Sequence, residues 1–211
     1  MDLLKHEILI QKKLTSLNQG EDPAHDFLHL KRVVKTAWTL TKQEGADWAV
    51  VMPAAWLHDM VVIAKNDSRR SQASRLSGQA AAEFLRQIEY PVQDLSRITH
   101  AIEAHSFSAG IEPQTIEARI VQDADRLDGL GAIGVARCFA TAGLMKRAFY
   151  SEKDPFCQTR VPDDGQFTVD HFYKKLFVVA STLKTAAGQD EGQKRVFAMK
   201  RYLADLALEI S

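Results

Sequence analysis

The sequence has few cysteines and no excess of charge of either sign. Only Cys138 and Cys157 occur among 211 residues, and they form no CxxC pair. This argues against a disulfide framework or a thiolate zinc knuckle and predicts a reducing, cytoplasmic location. Lysine plus arginine and aspartate plus glutamate number 27 each, so we expect no general nucleic-acid binding. Any anion site must therefore be local.

Long hydrophobic runs are also missing. No run approaches the roughly 18 apolar residues of a membrane span, and charges interrupt the apolar residues of the N-terminal stretch MDLLKHEILIQKKL. We therefore expect a soluble protein with no signal peptide and no membrane association. A chain of 211 residues can bury a substantial core, and one domain is the expectation.

Apolar residues recur at helical spacing along almost the whole chain, whereas strict apolar–polar alternation is nearly absent. The sequence therefore predicts an all-α fold, with Trp38 on a buried helix face. The segment 65–75 is predicted to be an exposed loop, and 151–167 to be either a lid or a long connection. The expected helices cover 2–18, 25–44, the stretch from Asp47 to His58-Asp59, 76–89, 94–106, 113–147 with a break at its glycines, 168–187 and 191–209.

An adjacent histidine and aspartate carry the strongest chemical signal. His58 and Asp59 follow the apolar run AAWL, and the chain turns polar a few residues later. Successive helical side chains diverge by about 100°, so both can reach one ion only at a helix end or distortion. The alternative is a histidine that stabilises the helix dipole beside a solvated aspartate.

Two further segments offer metal-competent side chains. His29, in HDFLH, lies near the buried stripe of its helix, where a structural histidine is equally common. Three aspartates at 123, 125 and 128 surround Arg126 in QDADRLDG. Asp125 and Asp128 share a helical face and Asp123 does not, so at most two of the three serve one site. The alternative is an ion-pair network around Arg126.

Two motif matches point to other functions and are rejected. GLGAIG at 129–134 fits GxGxxG, but no apolar strand precedes it, so a dinucleotide site is not supported. HDFLH resembles the HExxH helix of zinc proteases with aspartate in place of glutamate. Pro23 and the helix start leave little preceding structure, and the shorter base would be displaced, so proteolysis is not supported.

The order His, His-Asp, Asp, within HDFLHLKRV, AAWLHD and DADRLD, resembles the HD-domain metal-dependent phosphohydrolases. HAIEAHSFS, IVQDADRLDGLGAIGVARCF and HFYKKL are further similar to the YedJ/YpgQ-like subgroup of that superfamily. The resemblance extends from residue 25 to about 205. It implies a single HD-type helical bundle over 1–211, with a motif core at about 25–130 and C-terminal helices at 166–209 packing on it.

The resemblance also implies a ligand set for a divalent metal ion. His25 competes with His29 for the first position, but the family's first histidine precedes a valine by four residues, which matches Val33. The D-x-R-L segment likewise selects the second of the three aspartates. Imidazoles and carboxylates suit Mn²⁺ or Mg²⁺ first, and also Fe²⁺, Co²⁺, Ni²⁺ or Zn²⁺. The implied ligands are His29, His58, Asp59 and Asp125.

The activity implied by the resemblance is hydrolysis of nucleoside or deoxynucleoside triphosphates to monophosphate and pyrophosphate. Asp59 is expected to orient the attacking water, and Lys65 and His105 to act in catalysis on the phosphate. Alternatives are a nucleotide phosphomonoesterase, a cyclic or alarmone nucleotide hydrolase, and a non-catalytic metal- or nucleotide-binding regulator. The partner is a small-molecule nucleotide, with a homodimer left open. Further candidate substrate contacts are His25, Arg69, His100, Arg126 and Lys174.

Overall fold

The structure is a computed structural model that describes residues 2–17, 27–63, 67, 69–90, 93, 95–106 and 109–210. Helices dominate these residues, and their only β-type pairing is an isolated bridge between Ala148 and Phe167. The all-α prediction is confirmed. The α-helices are α1 Leu3–Leu17, α2 Phe27–Glu44, α3 Trp48–Leu57, α4 Ala73–Gln87, α5 Leu95–His105, α6 Ile116–Asp128, α7 Gly131–Leu144, α8 Phe177–Ala180 and α9 Ala186–Ile210.

The chain forms two compact units. Unit 1 comprises Met1–Asp125 with Lys184–Ala187, and unit 2 comprises Arg126–Leu183 with Gly188–Ser211. The single domain expected over 1–211, with C-terminal helices packing on the motif core, stays a prediction.

Helix α3 lies at the centre of unit 1. Its residues from Ala49 to Leu57 are all buried, as expected of a helix that is apolar on every side, and it packs against α1, α2 and α5. The carboxylate of Asp47 accepts a hydrogen bond from the Ala49 backbone N–H and caps the first turn. Because α3 ends at Leu57, His58 and Asp59 lie where the buried helix gives way to an irregular segment.

Helix α2 turns one face towards this core. Its buried side chains include His29, Val33 and Ala37. The expectation that Trp38 is buried was wrong, because its side chain is 41% exposed. Trp38 lies at the edge of the buried stripe, where its ring packs edge-on against Trp48 at 4.8 Å between centroids.

Three predictions about helix boundaries were wrong. Residues 65–75 are not all loop, since a 3₁₀-helix covers Arg70–Gln72 and α4 begins at Ala73. The predicted break between the helices 168–187 and 191–209 is absent, because α9 runs through Gly188 and Gly192. At Gly192 a Cβ atom would lie 2.4 Å from Leu183 Cδ1, so this glycine serves close packing rather than a turn. The predicted helix 168–187 is also shorter, consisting of a π-helix at Phe172–Leu176 followed by α8.

The predicted break in 113–147 is confirmed, and its glycines explain it. Gly131 has φ +69°, in the left-handed region that favours glycine. A Cβ atom at Gly134 would lie 2.2 Å from the carbonyl oxygen of Gly129. The GLGAIG segment is thus a tight junction between α6 and α7.

The core of unit 2 is rich in aromatic rings. Phe172, at the start of the π-helix, is fully buried and stacks on Tyr202 at 6.2 Å. The long segment that precedes it is held by polar contacts. Asp154 accepts hydrogen bonds from the backbone N–H groups of Gln158 and Thr159. Whether 151–167 acts as a lid stays a prediction.

Within the described residues, no single helix is long and apolar enough to cross a membrane. The consecutive helices α6 and α7 reach the length and composition of a span only when taken together. Ile120, Val121 and Leu127 of α6 are buried in the protein core.

Candidate metal centre

His58 lies at the C-terminal end of α3 with its ring fully buried. Its Nδ1–H donates to the backbone carbonyl of Ala55 at 2.9 Å in the neutral form. This bond selects the tautomer whose Nε2 carries the lone pair. Nε2 is buried and makes no hydrogen bond within the described part of the chain, which leaves a free ligand atom facing the neighbouring carboxylates.

The first group of metal-competent atoms joins α2, α3 and α6. His29 Nε2 lies 3.5 Å from Asp125 Oδ1, and His58 Nε2 lies 3.7 Å from the same oxygen. The two rings meet edge-on with 5.5 Å between centroids. All three ligand atoms lie within 4.8 Å of one another, so one cation could contact all of them.

A second group shares His58 and adds Asp59 and His105. His58 Nε2 lies 3.4 Å from Asp59 Oδ2, and His105 Nε2 lies 3.5 Å from Asp59 Oδ1. His105 is the last residue of α5, and its Nδ1–H donates to the carbonyl of Ile102 at 2.6 Å. The Asp59 carboxylate is therefore held between two imidazoles whose Nε2 atoms both face it.

The imidazoles and the carboxylates differ in exposure. The side chains of His29, His58 and His105 are 1%, 0% and 7% exposed, whereas those of Asp59 and Asp125 are 27% and 29% exposed. The imidazole rings are thus buried, whereas the carboxylates are partly exposed and form the solvent-facing rim of the cluster.

The electrostatics of the cluster favour a bound cation. Burial alone lowers the pKa of His58, but the carboxylates of Asp59 and Asp125 outweigh it and raise that pKa to about 9. Burial acts to raise the pKa of Asp59, yet His58 and His105 hold it well below its ordinary value. Two carboxylates and buried imidazole nitrogens without thiolates match the ligand preferences of a divalent cation. The side chains present therefore fit a metal ion.

The three aspartates of α6 have separate roles, and only Asp125 belongs to either cluster among the described residues. Asp123 is buried and accepts hydrogen bonds from the backbone N–H groups of Lys184 and Thr185 at 2.7–3.0 Å. Asp128 accepts a hydrogen bond from Arg137 Nη1 at 2.6 Å. Of the three, Asp125 is thus the aspartate grouped with the histidines, and its role as a metal ligand stays a prediction.

Two of the remaining candidates, His25 and Lys65, lie outside the described residues. His100 is separate from the clusters, since its Nε2 accepts a hydrogen bond from the Gln114 backbone N–H at 2.9 Å. Arg69 forms a two-pronged ion pair with Asp67, with Nη2 at 2.8 Å from Oδ2.

The last two candidates also have partners within the protein. Arg126 Nη1 donates to the carbonyl and the hydroxyl oxygen of Thr182, each at 2.9 Å. Lys174 Nζ lies 2.8 Å from Asp164 Oδ1. A substrate contact from either side chain would need it to exchange or share these partners, and both assignments stay predictions.

Sequence reasoning missed two features of the cluster. His105 was expected to handle phosphate, and the structure places it beside Asp59 among the candidate ligands. Its position at a helix end, like that of His58, was the available signal. Gln122, buried on α6, donates to the carbonyl of Ala104 at 2.6 Å and so fixes the turn that carries His105. Only its spacing of three residues from Asp125 hinted at this role.

The fold and the cluster define an all-α protein with a histidine–aspartate centre able to hold a metal ion. Residues 26–130 match the model of the HD domain, a range that contains every residue of both clusters. The chain belongs to the HD-domain family, and its class is that of the HD-superfamily hydrolases.

The chain is similar over its full length to bacterial relatives. It is 28% identical over 214 residues to the uncharacterised protein YpgQ of Bacillus subtilis strain 168, covering 100% of this chain and 96% of YpgQ. The crystal structure of YpgQ in complex with ADP matches with a TM-score of 0.76 and 29% identity, covering 99% of this chain and 97% of that one. An HD-superfamily hydrolase of Bacillus thuringiensis matches with a TM-score of 0.72 and 29% identity, covering 96% and 97%.

Proposed function

We propose that this protein is a metal-dependent phosphohydrolase that converts nucleoside or deoxynucleoside triphosphates to the monophosphate and pyrophosphate. The observation that carries the proposal is the buried Nε2 of His58, which lies within 3.7 Å of the carboxylates of both Asp59 and Asp125. The ADP complex of YpgQ supports a nucleotide as the ligand class.

The proposed metal ligands are His29, His58, Asp59 and Asp125, with His105 as a further nitrogen close to Asp59. Mn²⁺ or Mg²⁺ is the proposed ion. When bound, such an ion polarises a phosphoryl oxygen of the substrate and makes a nearby water more acidic. The ligand set leaves room for this role, because the carboxylate rim is the solvent-facing side of the cluster.

Asp59 is the proposed residue that orients the attacking water. Its pKa lies well below the ordinary value, so it remains a carboxylate that accepts hydrogen bonds near neutral pH. The imidazoles of His58 and His105 face its two oxygens from opposite ends, which restricts its rotation. In the proposed reaction, water adds to phosphorus, and the bond to the oxygen bridging the α- and β-phosphates breaks. His105 and Lys65 are proposed to counter the charge that develops on the phosphate.

Product analysis tests the reaction. The protein is incubated with a panel of nucleoside and deoxynucleoside triphosphates, monophosphates and cyclic nucleotides, with Mn²⁺ or Mg²⁺ or with chelator. Monophosphate and pyrophosphate in equal amounts, formed only with metal, are expected. Orthophosphate release would instead identify a phosphomonoesterase, and metal-dependent binding without any product would identify a regulator.

His58→Ala tests the site. Loss of the buried Nε2 is expected to abolish both Mn²⁺ binding, measured by calorimetry, and turnover. The matched control is His6→Ala, which removes a half-buried histidine of α1 that belongs to neither cluster. Turnover in His58→Ala close to that of the control would contradict the proposed centre.

A further inference from the structure

A second concave surface lies on unit 1, away from the histidine–aspartate cluster. It is a cavity of about 420 Å³ between α1, α2 and α3, within the size range of small-molecule sites. All three tryptophans of the chain contribute to it. We name it the tryptophan groove; its lining residues are Glu7, Gln11, Lys31, Val34, Lys35, Trp38, Trp48 and Trp56.

The tryptophan groove and the candidate metal centre use opposite faces of α2. With about 100° per residue, Lys31, Lys35 and Trp38 lie roughly 180–240° around the helix from His29. His29 is 1% exposed and faces Asp125, whereas Lys31 and Lys35 are exposed. The groove is therefore a separate site and not an extension of the metal centre.

The walls of the groove suit a planar aromatic ring. Trp38 is 41% exposed and meets Trp48 edge-on at 4.8 Å. Lys42 Nζ lies over the Trp38 ring at 4.7 Å from its centroid, so a base that stacks on this face displaces Lys42. Trp56 forms the base and is held in place, because its Nε1–H donates to Glu7 Oε1 at 2.9 Å and its ring stacks on Phe27 at 5.7 Å. Rigid, prepositioned indole rings gain stacking energy with a ligand at little entropic cost.

The polar groups of the groove suit an anionic ligand with hydrogen-bond donors. Lys31 and Lys35 stand on the same side of α2, and neither has an ion-pair partner among the described residues. Lys31 Nζ lies 5.0 Å from the Phe27 ring centroid, so its charge lies over that ring. Glu7 and Gln11 of α1 also line the groove, and Glu7 Oε1 accepts hydrogen bonds from Trp56 Nε1 at 2.9 Å and from Gln11 Nε2 at 3.5 Å. A nucleobase stacked on indole, with amino groups towards α1 and phosphate towards the lysines, would share the Glu7 carboxylate with these two donors.

We infer that the tryptophan groove binds a nucleotide by base stacking on the tryptophans and by phosphate contacts to Lys31 and Lys35. This site is additional to the metal centre, and its existence does not depend on the proposed reaction.

Because every tryptophan lines the groove, fluorescence excited in the indole band reports on ligands bound there. The probe is adenosine monophosphate, which is titrated into the His58→Ala protein in the presence of chelator. Under these conditions, binding at the metal centre does not change the fluorescence of the nearby Trp56. Saturable quenching is expected, confirmed by calorimetry. Ribose 5-phosphate, which lacks the ring, is expected to give no quenching, and adenosine, which lacks the charge, to bind more weakly.

Variants separate the two contacts. Lys31→Ala combined with Lys35→Ala is expected to weaken binding of the monophosphate roughly tenfold, since two exposed ion pairs are lost, and to leave adenosine unchanged. Trp38→Ala is expected to weaken both ligands. Lys12→Ala, an exposed lysine of α1 outside the groove, is the matched control and is expected to leave both affinities unchanged.

Three results would overturn the inference. The first is the absence of saturable quenching. The second is quenching that the lysine pair and Trp38→Ala do not alter. The third is a change of sedimentation coefficient in the groove variants without nucleotide binding, which would assign the surface to a contact between copies of the chain.

Discussion

Asp123 and Asp125 lie two residues apart on α6 but face different surroundings. Asp123 is fully buried and accepts hydrogen bonds from the backbone N–H groups of Lys184 and Thr185 and from the Thr185 hydroxyl, just before α9. Asp125 is 29% exposed and faces two histidine nitrogens. The first carboxylate therefore stabilises the fold, and the second is available for chemistry.

Replacement by asparagine should lower stability at Asp123 and remove metal binding at Asp125. Asp123→Asn places an amide donor against the N–H groups of Lys184 and Thr185, which are themselves donors, and should lower the free energy of unfolding by about 3 kcal/mol. Asp125→Asn should change the metal-free stability by less than about 1 kcal/mol, yet remove metal binding. Urea unfolding and Mn²⁺ calorimetry on the two variants check this. Equal losses of stability would contradict the assignment.

The helix-end argument located His58 and Asp59 from sequence because it needs only local information. The apolar run before the pair shows where a buried helix ends, and the structure has α3 ending there. His105 also ends a helix, but its closeness to Asp59 depends on how α5 packs against α3. Such a contact between segments about 46 residues apart is not encoded in local spacing, so the sequence left its role open.

At the scale of elements, two of the three glycines of α7 have opposite environments. A Cβ atom at Gly134 would meet the carbonyl oxygen of Gly129 at 2.2 Å, whereas Gly143 has no heavy atom within 4 Å of that position. Gly134→Ala should lower the free energy of unfolding by about 2 kcal/mol, because backbone must move. Gly143→Ala should raise it by about 0.5 kcal/mol, through helix propensity. Thermal unfolding of both variants tests the prediction, and stabilisation by Gly134→Ala would refute it.

The segment before the π-helix should open in acid. Backbone N–H groups of Thr159 and Gln158 lower the pKa of Asp154 to about 2, and Lys174 and His171 lower the pKa of Asp164 to about 2. Both values lie below the ordinary 3.8, so the stabilisation is complete above about pH 4 and is lost as the pH falls through 2.

Peptic digestion at decreasing pH measures this opening. Cleavage within 151–171 should begin between about pH 4 and pH 2. Asp154→Asn should shift its onset upwards, whereas Asp190→Asn, at an exposed position of α9, should leave it unchanged. An onset of cleavage in Asp154→Asn at the same pH as in the parent protein would contradict the prediction.

The ambiguity of glycine explains the break that was wrongly predicted within α9. Glycines at 188 and 192 looked like a turn between two helices, yet α9 continues through both. Gly192 lacks a side chain because Leu183 packs against it. Glycine occurs both in turns and where another segment packs closely against the backbone. The sequence does not distinguish these two cases, because the packing segment is known only from the structure. Gly131, with its left-handed φ of +69°, is the case in which the turn reading was right.

At the scale of the whole molecule, every residue of the metal-competent clusters lies in unit 1. The HD-domain match ends at residue 130, close to the end of the main segment of that unit at Asp125. The fold class and the ligand segments could thus be predicted from sequence, since helical periodicity and short motifs encode both. The division into units could not be predicted from sequence, because it depends on how contacts are distributed in the folded chain.

Metal binding should stabilise the two units unequally. A ligand that binds only the folded state adds about 2.7 kcal/mol at a concentration of 100 times its Kd. Because the clusters join α2, α3, α5 and α6, saturating Mn²⁺ should slow amide hydrogen exchange in these helices more than in α7 or the later part of α9. Hydrogen exchange read by mass spectrometry, with and without Mn²⁺, measures the difference. His58→Ala should remove the protection, and the His6→Ala control should retain it. Equal protection of both units in the parent protein would show that metal binding is not confined to unit 1.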